Sequence, residues 1–259
     1  MWMVFMLPAQ RHQRIVEALS QAGTLRTEDL AEQLGVSHET ARRDLATLER
    51  RGLLARVHGG ATAVTSGTGE ESSYLERSTA QAEAKAVIGA QAAQVLRPGQ
   101  TVIIDVGTTA VQAARAIPPG FRGVVATCSL LVAAELAGRP GVEVLVAGGR
   151  VRQGDLAVSN AQTVAFFQDL RADVALLGSG GLTARAGLTD YYLDEVATKR
   201  VILANTARTY VLADSTKHSR VAAYRVCGLD GFSGLITDRE PPPELASALV
   251  RAGVEVIRP

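Results

Sequence analysis

The 259-residue chain carries 27 Lys and Arg against 26 Asp and Glu, a formal net charge of +1, with 47% hydrophobic and 20% charged residues. That balance describes an ordinary soluble globular protein and excludes a disordered, membrane-spanning or globally polybasic one. Any nucleic-acid contact must then come from a local patch, and the length allows a small domain of about sixty residues beside one near two hundred.

The opening MWMVFML is apolar but too short to span a bilayer, and no basic segment precedes it. An over-extended start, or a tail lying on the first helix, is the expectation there. From Pro8, which suits a first helical turn, to Ala22, the spacing of Ile15, Val16 and Leu19 predicts a helix with one apolar face. The stretch LRTEDLAEQLGVSHETARRDLATLERRGLLARVHGGA, residues 25–61, carries the most information. Thr27 is the expected N-cap of a second helix, with Leu30, Ala31 and Leu34 on one face. Gly35 supplies the tight step to a third helix. Ser37 caps that helix, with Thr40 where a full capping box has Glu or Gln. Ala41, Leu45 and Leu48 then face inward and leave Glu39, Thr40, Arg42 and Arg43 on or beside the outer face. Ser, His, Thr and paired Arg at the start of such a helix reach base edges and phosphates in a major groove.

Between Leu7 and Thr62 eight Arg and no Lys stand against seven Asp or Glu, so position matters more than total. Arg42, Arg43, Arg50, Arg51 and Arg56 crowd this helix and the residues just beyond it. Gly52 ends the helix, and Leu53 to Val57 with the turn His58-Gly59-Gly60 predict a β-ribbon, which completes a winged helix. TAVTSGTGEESS, Thr62 to Ser73, has the composition of a linker, and Tyr74 to Leu96 reads as a second amphipathic helical region that leads into the larger domain.

After Gly99, apolar strands alternate with helices: TVIIDVG, GVVATC, VEVLVAGG, ADVALLGSGG, TYVLAD, GLITD and VEVI. This predicts a helix-covered parallel sheet, in which ligands bind outside the carboxyl ends of the strands. Four polar or Gly-rich clusters fall at those ends. They are Asp105 to Thr109, Gly148-Gly149-Arg150, Gly178-Ser179-Gly180-Gly181 and Asp214-Ser215-Thr216-Lys217. In the first, Gly107 admits a close ligand, and the Thr108 and Thr109 amides and hydroxyls lie beside a positive helix dipole, which suits a phosphate or another anion. A tight turn with Thr caps is the plainer account of any one such loop; four on one sheet edge favour a pocket.

Lys199 and Lys217 lie near that edge and can neutralise a phosphate. Lys199 follows Asp190, Asp194 and Glu195 and is i,i+4 from Glu195, where a surface salt bridge is the plainer reading. Lys217 is the better single choice. Cys128 and Cys227 match no zinc or redox spacing and are expected as reduced core residues of a cytoplasmic protein. His12, His38, His58 and His218 lack metal-ligand spacing, and no metal or cofactor is expected. There is no Walker loop, no GxGxxG and no Ser–His–acid set.

Q-R-H near the start, S-H-E-T-A-R-R-D-L, R-V-H-G-G-A, Y-L-E-R with the following E-A-K, I-D-V-G-T-T, V-A-G-G, L-D-E-V-A-T-K-R, A-D-S-T-K and L-I-T-D occur in that order. With these motifs the chain resembles the DeoR/GlpR-type bacterial transcription regulators over nearly its whole length. The resemblance implies an α/β protein with a winged helix–turn–helix over residues 7–62, a linker over 63–80 and an effector-sensing domain over 81–259. That sensor is similar to the ribose-5-phosphate isomerase-like fold. Its implied partners are double-stranded operator DNA, a phosphorylated sugar or related metabolite as effector, and further copies of itself in a homodimer or homotetramer. The implied function is repression of carbohydrate-metabolism genes until the effector releases the DNA.

By position, Asp105, Gly107, Thr108 and Thr109 match the effector loop, Asp194, Glu195 and Lys199 an acidic–basic helix, and Lys217 a late lysine. Thr127, Gly148, Gly149 and Gly180 complete the expected effector set. Cys128 after Thr127 replaces the usual Asn, and Ser159-Asn160 replace a Gly and a Glu, which points away from the better-known sugar phosphates. The expected DNA set is Thr27, Ser37, His38, Glu39, Thr40, Arg42 and Arg43, with Arg56 and His58 in the wing. The rival from another class is a sugar-phosphate isomerase-like enzyme with an appended DNA-binding domain. Asp105, Asp190 or Glu195 beside Lys199 offers it a nominal base and electrophile, but nothing else completes a catalytic set, so no enzyme is expected.

Overall fold

The computed structural model describes residues 8–50, 54–57, 59–63 and 71–259. They fall in two compact units, Met1–Gly67 and Thr68–Pro259. MWMVFML, Arg51, Gly52, Leu53 and His58 lie outside the described residues.

In the first unit, α1 (Pro8–Ala22), β1 (Thr24–Arg26), α2 (Thr27–Leu34) and α3 (His38–Arg50) precede the hairpin β2 (Leu54–Val57) and β3 (Gly60–Ala63). The three strands form an antiparallel sheet with β3 in the middle. Ile15, Leu19, Leu30, Leu34, Leu45 and Leu48 make one core with Leu54 and Ala61, so the helical spacing seen in the sequence becomes the packed face. Gly35 takes φ +63°, a left-handed conformation that disfavours a Cβ, and lets the Gly35 and Val36 amides return to the Glu32 and Ala31 carbonyls. Ser37 does cap α3: its Oγ accepts the Thr40 N–H at 3.2 Å and lies 2.9 Å from the Thr40 hydroxyl. Thr27 is not a cap. β1 pairs with β3 as far as Arg26, which keeps Arg26 extended at the N-cap position without a side-chain bond. Thr27 is instead the first helical residue, and its N–H donates to the Gly59 carbonyl at 3.0 Å. The early Q-R-H motif also finds its reason. Arg11 donates to Asp44 of α3 at 2.7 and 3.1 Å, and His12 Nε2 lies 3.0 Å from the same carboxylate.

The second unit opens with α4 (Tyr74–Thr79) and α5 (Ala82–Gln94). It continues through β4 (Thr101–Ile104), α6 (Thr108–Ala116), β5 (Gly123–Thr127), α7 (Leu130–Leu136), β6 (Val142–Val146) and α8 (Ala161–Asp169) to β7 (Ala172–Leu177). β8 (Gly181–Thr183), β9 (Gly187–Asp190), α9 (Leu193–Asn205) and β10 (Thr206–Leu212) follow, then β11 (Tyr224–Cys227), β12 (Gly234–Ile236), α10 (Pro243–Arg251) and β13 (Glu255–Ile257). All seven expected strands join one parallel sheet, ordered β13-β12-β10-β7-β4-β5-β6. Val102 and Ile104 pack with Ile88, Val111 and Leu136 of α5, α6 and α7, whereas Ile103 between them packs with Phe167 and Ile202 of α8 and α9. A strand buried on both faces reads as a continuous apolar run. A third core gathers Leu245 and Leu249 of α10 with Val211 and Leu235.

Two parts differ from the sequence reading. Tyr74 to Leu96 is two helices, because Gln81 at φ +54° breaks the run and Lys85 Nζ donates to the Arg77 and Ala80 carbonyls at the end of α4. Residues 74–79, within the expected linker, are therefore helical and open on a reciprocal Ser73–Glu76 capping box. β8, β9 and β11 form a small antiparallel sheet that was not anticipated, since runs of three or four residues are too short to show a period. Among the described residues no helix is long and apolar enough to cross a membrane.

The chain leaves β4 for β5 and β6 on one side, then returns to β7 on the other. Strand order thus reverses between β4 and β7, where the loops part and leave a crevice. α5 crosses α6 at Gly89, where a Cβ would lie 2.7 Å from the Gln112 carbonyl carbon and oxygen. Gly89→Ala is expected to push these helices apart and lower unfolding free energy by roughly 1–3 kcal/mol. An unchanged denaturant midpoint would contradict this packing.

Candidate functional site

In the first unit, His38, Glu39, Arg42 and Arg43 are exposed along α3, beside the half-buried Thr40. Arg43 Nε donates to Glu39 at 3.2 Å, with side chains 79% and 60% exposed. Such a pair contributes little in water, so both groups are free to exchange it for another partner. Arg56 is more occupied than expected. Its Nε donates to the Gly60 carbonyl at 3.2 Å and its Nη1 to the Arg42 carbonyl at 3.5 Å, which braces the hairpin on α3. Thr27 is 3% exposed, and burial withdraws its side chain from the expected DNA surface.

In the second unit, a cleft opens at the crevice between β4 and β7. Gly107, φ +111°, turns the chain into α6 with no side-chain cap. The first N–H groups of α6 thus have no intrahelical acceptors, and Gly107, Thr108 and Thr109 line the cleft. Lys217, in the 3-10 turn after β10, lines it too. Among the described residues its ammonium has no ion pair or hydrogen bond. Burial, then the nearby Arg220, push its pKa below the usual lysine value.

The floor is a charge network. Lys199 of α9, 1% exposed, is ion-paired with Asp105 and lies 3.2 Å from Asp190 and 3.3 Å from the Gly178 carbonyl. Burial disfavours this ammonium, but Asp105, Asp190 and Glu195 outweigh it and hold its pKa well above the ordinary value. Asp105 also accepts the Gly178 N–H at 3.0 Å. The surface pairing read for Glu195 and Lys199 is overturned, because this face of α9 turns inward and buries both. Glu195 Oε1 instead meets the Arg152 guanidinium as an ion pair, without the alignment of a hydrogen bond. Burial and then Asp190 push the Glu195 pKa up to about 8, against Lys199 and Arg152. Arg152 also donates to Asp155 at 3.1 Å and stacks 3.8 Å from the Tyr192 ring centre. Arg77 pairs with Glu71 at 2.9 Å and reaches Asp155 at 3.6 Å.

Of the expected effector residues, Gly107, Thr108, Thr109, Glu195, Lys199 and Lys217 line the cleft, and Asp105 holds its floor. The others stand elsewhere. Thr127 is fully buried and accepts the Ser129 N–H, and Gly148 accepts the Thr163 hydroxyl. Gly149 packs against Asn160, Gly180 donates to the Thr189 carbonyl, and Asp194 is exposed. Glu71, Arg77, Lys85, Arg152 and Asp155 line the cleft without having been singled out. Arg77 and Lys85 sit in the Y-L-E-R and E-A-K motifs, whose fixed spacing was the available signal. Glu71, Arg152 and Asp155 carried none. No group of three or more His, Cys, Asp or Glu suited to a metal occurs among the described residues.

A DeoR-like helix-turn-helix domain matches residues 11–67, and the DeoR C terminal sensor domain matches residues 80–239. The chain is 34% identical over 252 residues to the HTH-type transcriptional regulator GlpR of Haloferax volcanii, covering 97% of this chain and 98% of that protein. It is 31% identical over 244 residues to the glycerol-3-phosphate regulon repressor of Escherichia coli, covering 94% and 96%. Among solved structures, ribose 5-phosphate isomerase A from Methanocaldococcus jannaschii aligns with 53% of this chain and 55% of its own, at 12% identity and a TM-score of 0.40. That likeness is too slight to bear on chemistry. With both domains matched and relatives spanning nearly its full length, the chain belongs to the DeoR family of transcriptional regulators.

Proposed function

We propose that this regulator is a cytoplasmic, sequence-specific repressor of carbohydrate-metabolism genes, released from its operator by a phosphorylated sugar-like metabolite. The observation that carries the effector reading is the uncapped N-terminus of α6 sharing a cleft with the unpaired Lys217. A phosphate there takes N–H groups from Gly107, Thr108 and Thr109 and a point charge from Lys217. Glu195 Oε1, buried and ion-paired with Arg152 but without a hydrogen-bond partner among the described residues, can accept a hydroxyl of the sugar. The names of relatives support the same class: a glycerol-3-phosphate regulon repressor and a putative aga operon transcriptional repressor.

In the head, Ser37, His38, Glu39, Thr40, Arg42 and Arg43 meet bases and phosphates, while Arg56 and His58 serve the wing. A homodimer or homotetramer presents paired heads to two half-sites, and the effector favours a state whose heads no longer match them. For the isomerase reading, burial and Asp190 raise the Glu195 pKa to about 8, which suits acid–base work near neutrality. Against it, Lys199, the electrophile it would need, is locked between two carboxylates. Turnover of ribose 5-phosphate by the purified protein would revive it.

Fluorescence anisotropy with the protein's own upstream DNA tests the main reading. Tight, sequence-dependent binding reversed by a phosphorylated sugar is expected, and Arg43→Ala is expected to lose about 1–3 kcal/mol of operator affinity with the sensor still folded. Unchanged affinity in Arg43→Ala would remove the assignment of α3 as the reading helix.

Glu195 generates a separate expectation. Its folded pKa of about 8 lies above its ordinary 4.5, so between those values the native state keeps a proton that the unfolded chain gives up. Its contribution to stability is full below about pH 4.5 and is lost as pH rises toward about 8. Thermal melts of Glu195→Gln should therefore decline less between about pH 5 and 8 than those of the wild type. Parallel declines would mean that Glu195 is ionised in the fold.

A further inference from the structure

We propose that Glu71 is an internal competitor of the effector, a carboxylate of the protein's own that lies in the sensor cleft paired with Arg77 and gives up that cation when a phosphate binds. This rests on the phosphorylated-effector reading and adds the threshold at which the sensor responds.

Glu71 lies just ahead of α4 with its side chain 12% exposed, and it lines the same cleft as Lys217 and the start of α6. Its ion-pair partner among the described residues is Arg77, at 2.9 Å. Arg77, Lys217 and Arg152 all favour its charged form, yet burial and Asp190 outweigh them and raise its pKa. The carboxylate is thus attracted into a cationic cleft but incompletely compensated there, which makes it replaceable. A phosphate dianion offers the same cations more charge than one carboxylate does, and it can also accept from the α6 amides, which Glu71 does not contact.

The element that delivers Glu71 is built for a fixed placement. Arg77 Nε donates to the Ser72 carbonyl at 3.0 Å, Ser73 and Glu76 close their capping box, and Lys85 Nζ holds the Arg77 and Ala80 carbonyls. Arg77 therefore joins three features, since it pairs with Glu71, holds Ser72 and reaches Asp155 in the cleft wall. Only residues 64–70 separate Glu71 from the end of β3 in the head. Exchange of Glu71 for a phosphate changes how the end of that connection is anchored, which gives the effector a covalent route to the head.

The test is calorimetric titration of the full-length wild type and Glu71→Gln with inorganic phosphate and, separately, with ribose 5-phosphate. If the carboxylate leaves the cleft open in about one molecule in ten, its removal should tighten both ligands roughly tenfold. Unchanged or weaker phosphate binding by Glu71→Gln would overturn the proposal. Weaker binding of ribose 5-phosphate alone would make Glu71 a ligand of the sugar hydroxyls instead. If neither probe binds either protein, the phosphate reading falls and the competitor with it. Hydrogen exchange on the wild type needs no variant. Saturating phosphate should speed exchange at residues 72–79, and slower exchange there would count against displacement.

Discussion

The buried ammonium of Lys199 is the interaction on which the sensor unit depends. A lysine stripped of water is costly by several kcal/mol unless protein oxygens take the place of the water. Asp105 after β4, Asp190 at the end of β9 and the Gly178 carbonyl after β7 supply those oxygens. One charge on α9 thus gathers the ends of two central strands and the small antiparallel sheet. These are the strands between which the order reverses, so the ion network and the topology locate the crevice together. Asp105 also takes the Gly178 N–H, which fixes the two loops flanking the opening. The floor is set before any ligand arrives, which is the condition for recognising a small charged molecule with few contacts.

Above that floor, most charges already have opposite neighbours. Arg152 is shared by Asp155 and Glu195, and Arg77 by Glu71 and Asp155. Among the described residues, the first amides of α6 and the Lys217 ammonium lack a complement, and Glu195 Oε1 has an ion pair with Arg152 but no hydrogen bond. Two kinds of anion donor and one buried acceptor suit the proposed ligand, with a phosphate at one end and a hydroxyl at the other. The head is organised differently. Its exposed Glu39–Arg43 pair is weakly held, and Asp44, on the buried side of α3, joins that helix to α1. The proposed reading face thus has its helix tied to α1 and its side chains exposed.

Much of the fold was legible because its signals are local. Pro8 and Ala22 bound α1, Gly35 and Ser37 punctuate the helix pair, and every long apolar run became a strand of the parallel sheet. What was not legible depends on partners remote in sequence. Thr27 reads as a cap until β3 pairs with β1 and moves the helix start. Lys199 reads as a surface i,i+4 partner of Glu195 until its true partner, Asp105, arrives from 94 residues away. Thr127, Gly148, Gly149 and Gly180 sit at strand ends as expected, yet they shape turns and packing outside the cleft wall. Arg152, Asp155 and Glu71 have no periodic or capping signature, so only the folded chain reveals them as cleft residues.

The start of α6 and Lys217 are proposed to bind an anion together. Amide NMR of the full-length protein during titration with inorganic phosphate tests it most directly. Gly107, Thr108 and Thr109 are expected to shift most, and Lys217→Gln is expected to suppress those shifts while leaving the fold intact. Shifts centred on another basic surface, such as the groove near Arg185, Arg225 and Arg251, or identical shifts in Lys217→Gln, would contradict it.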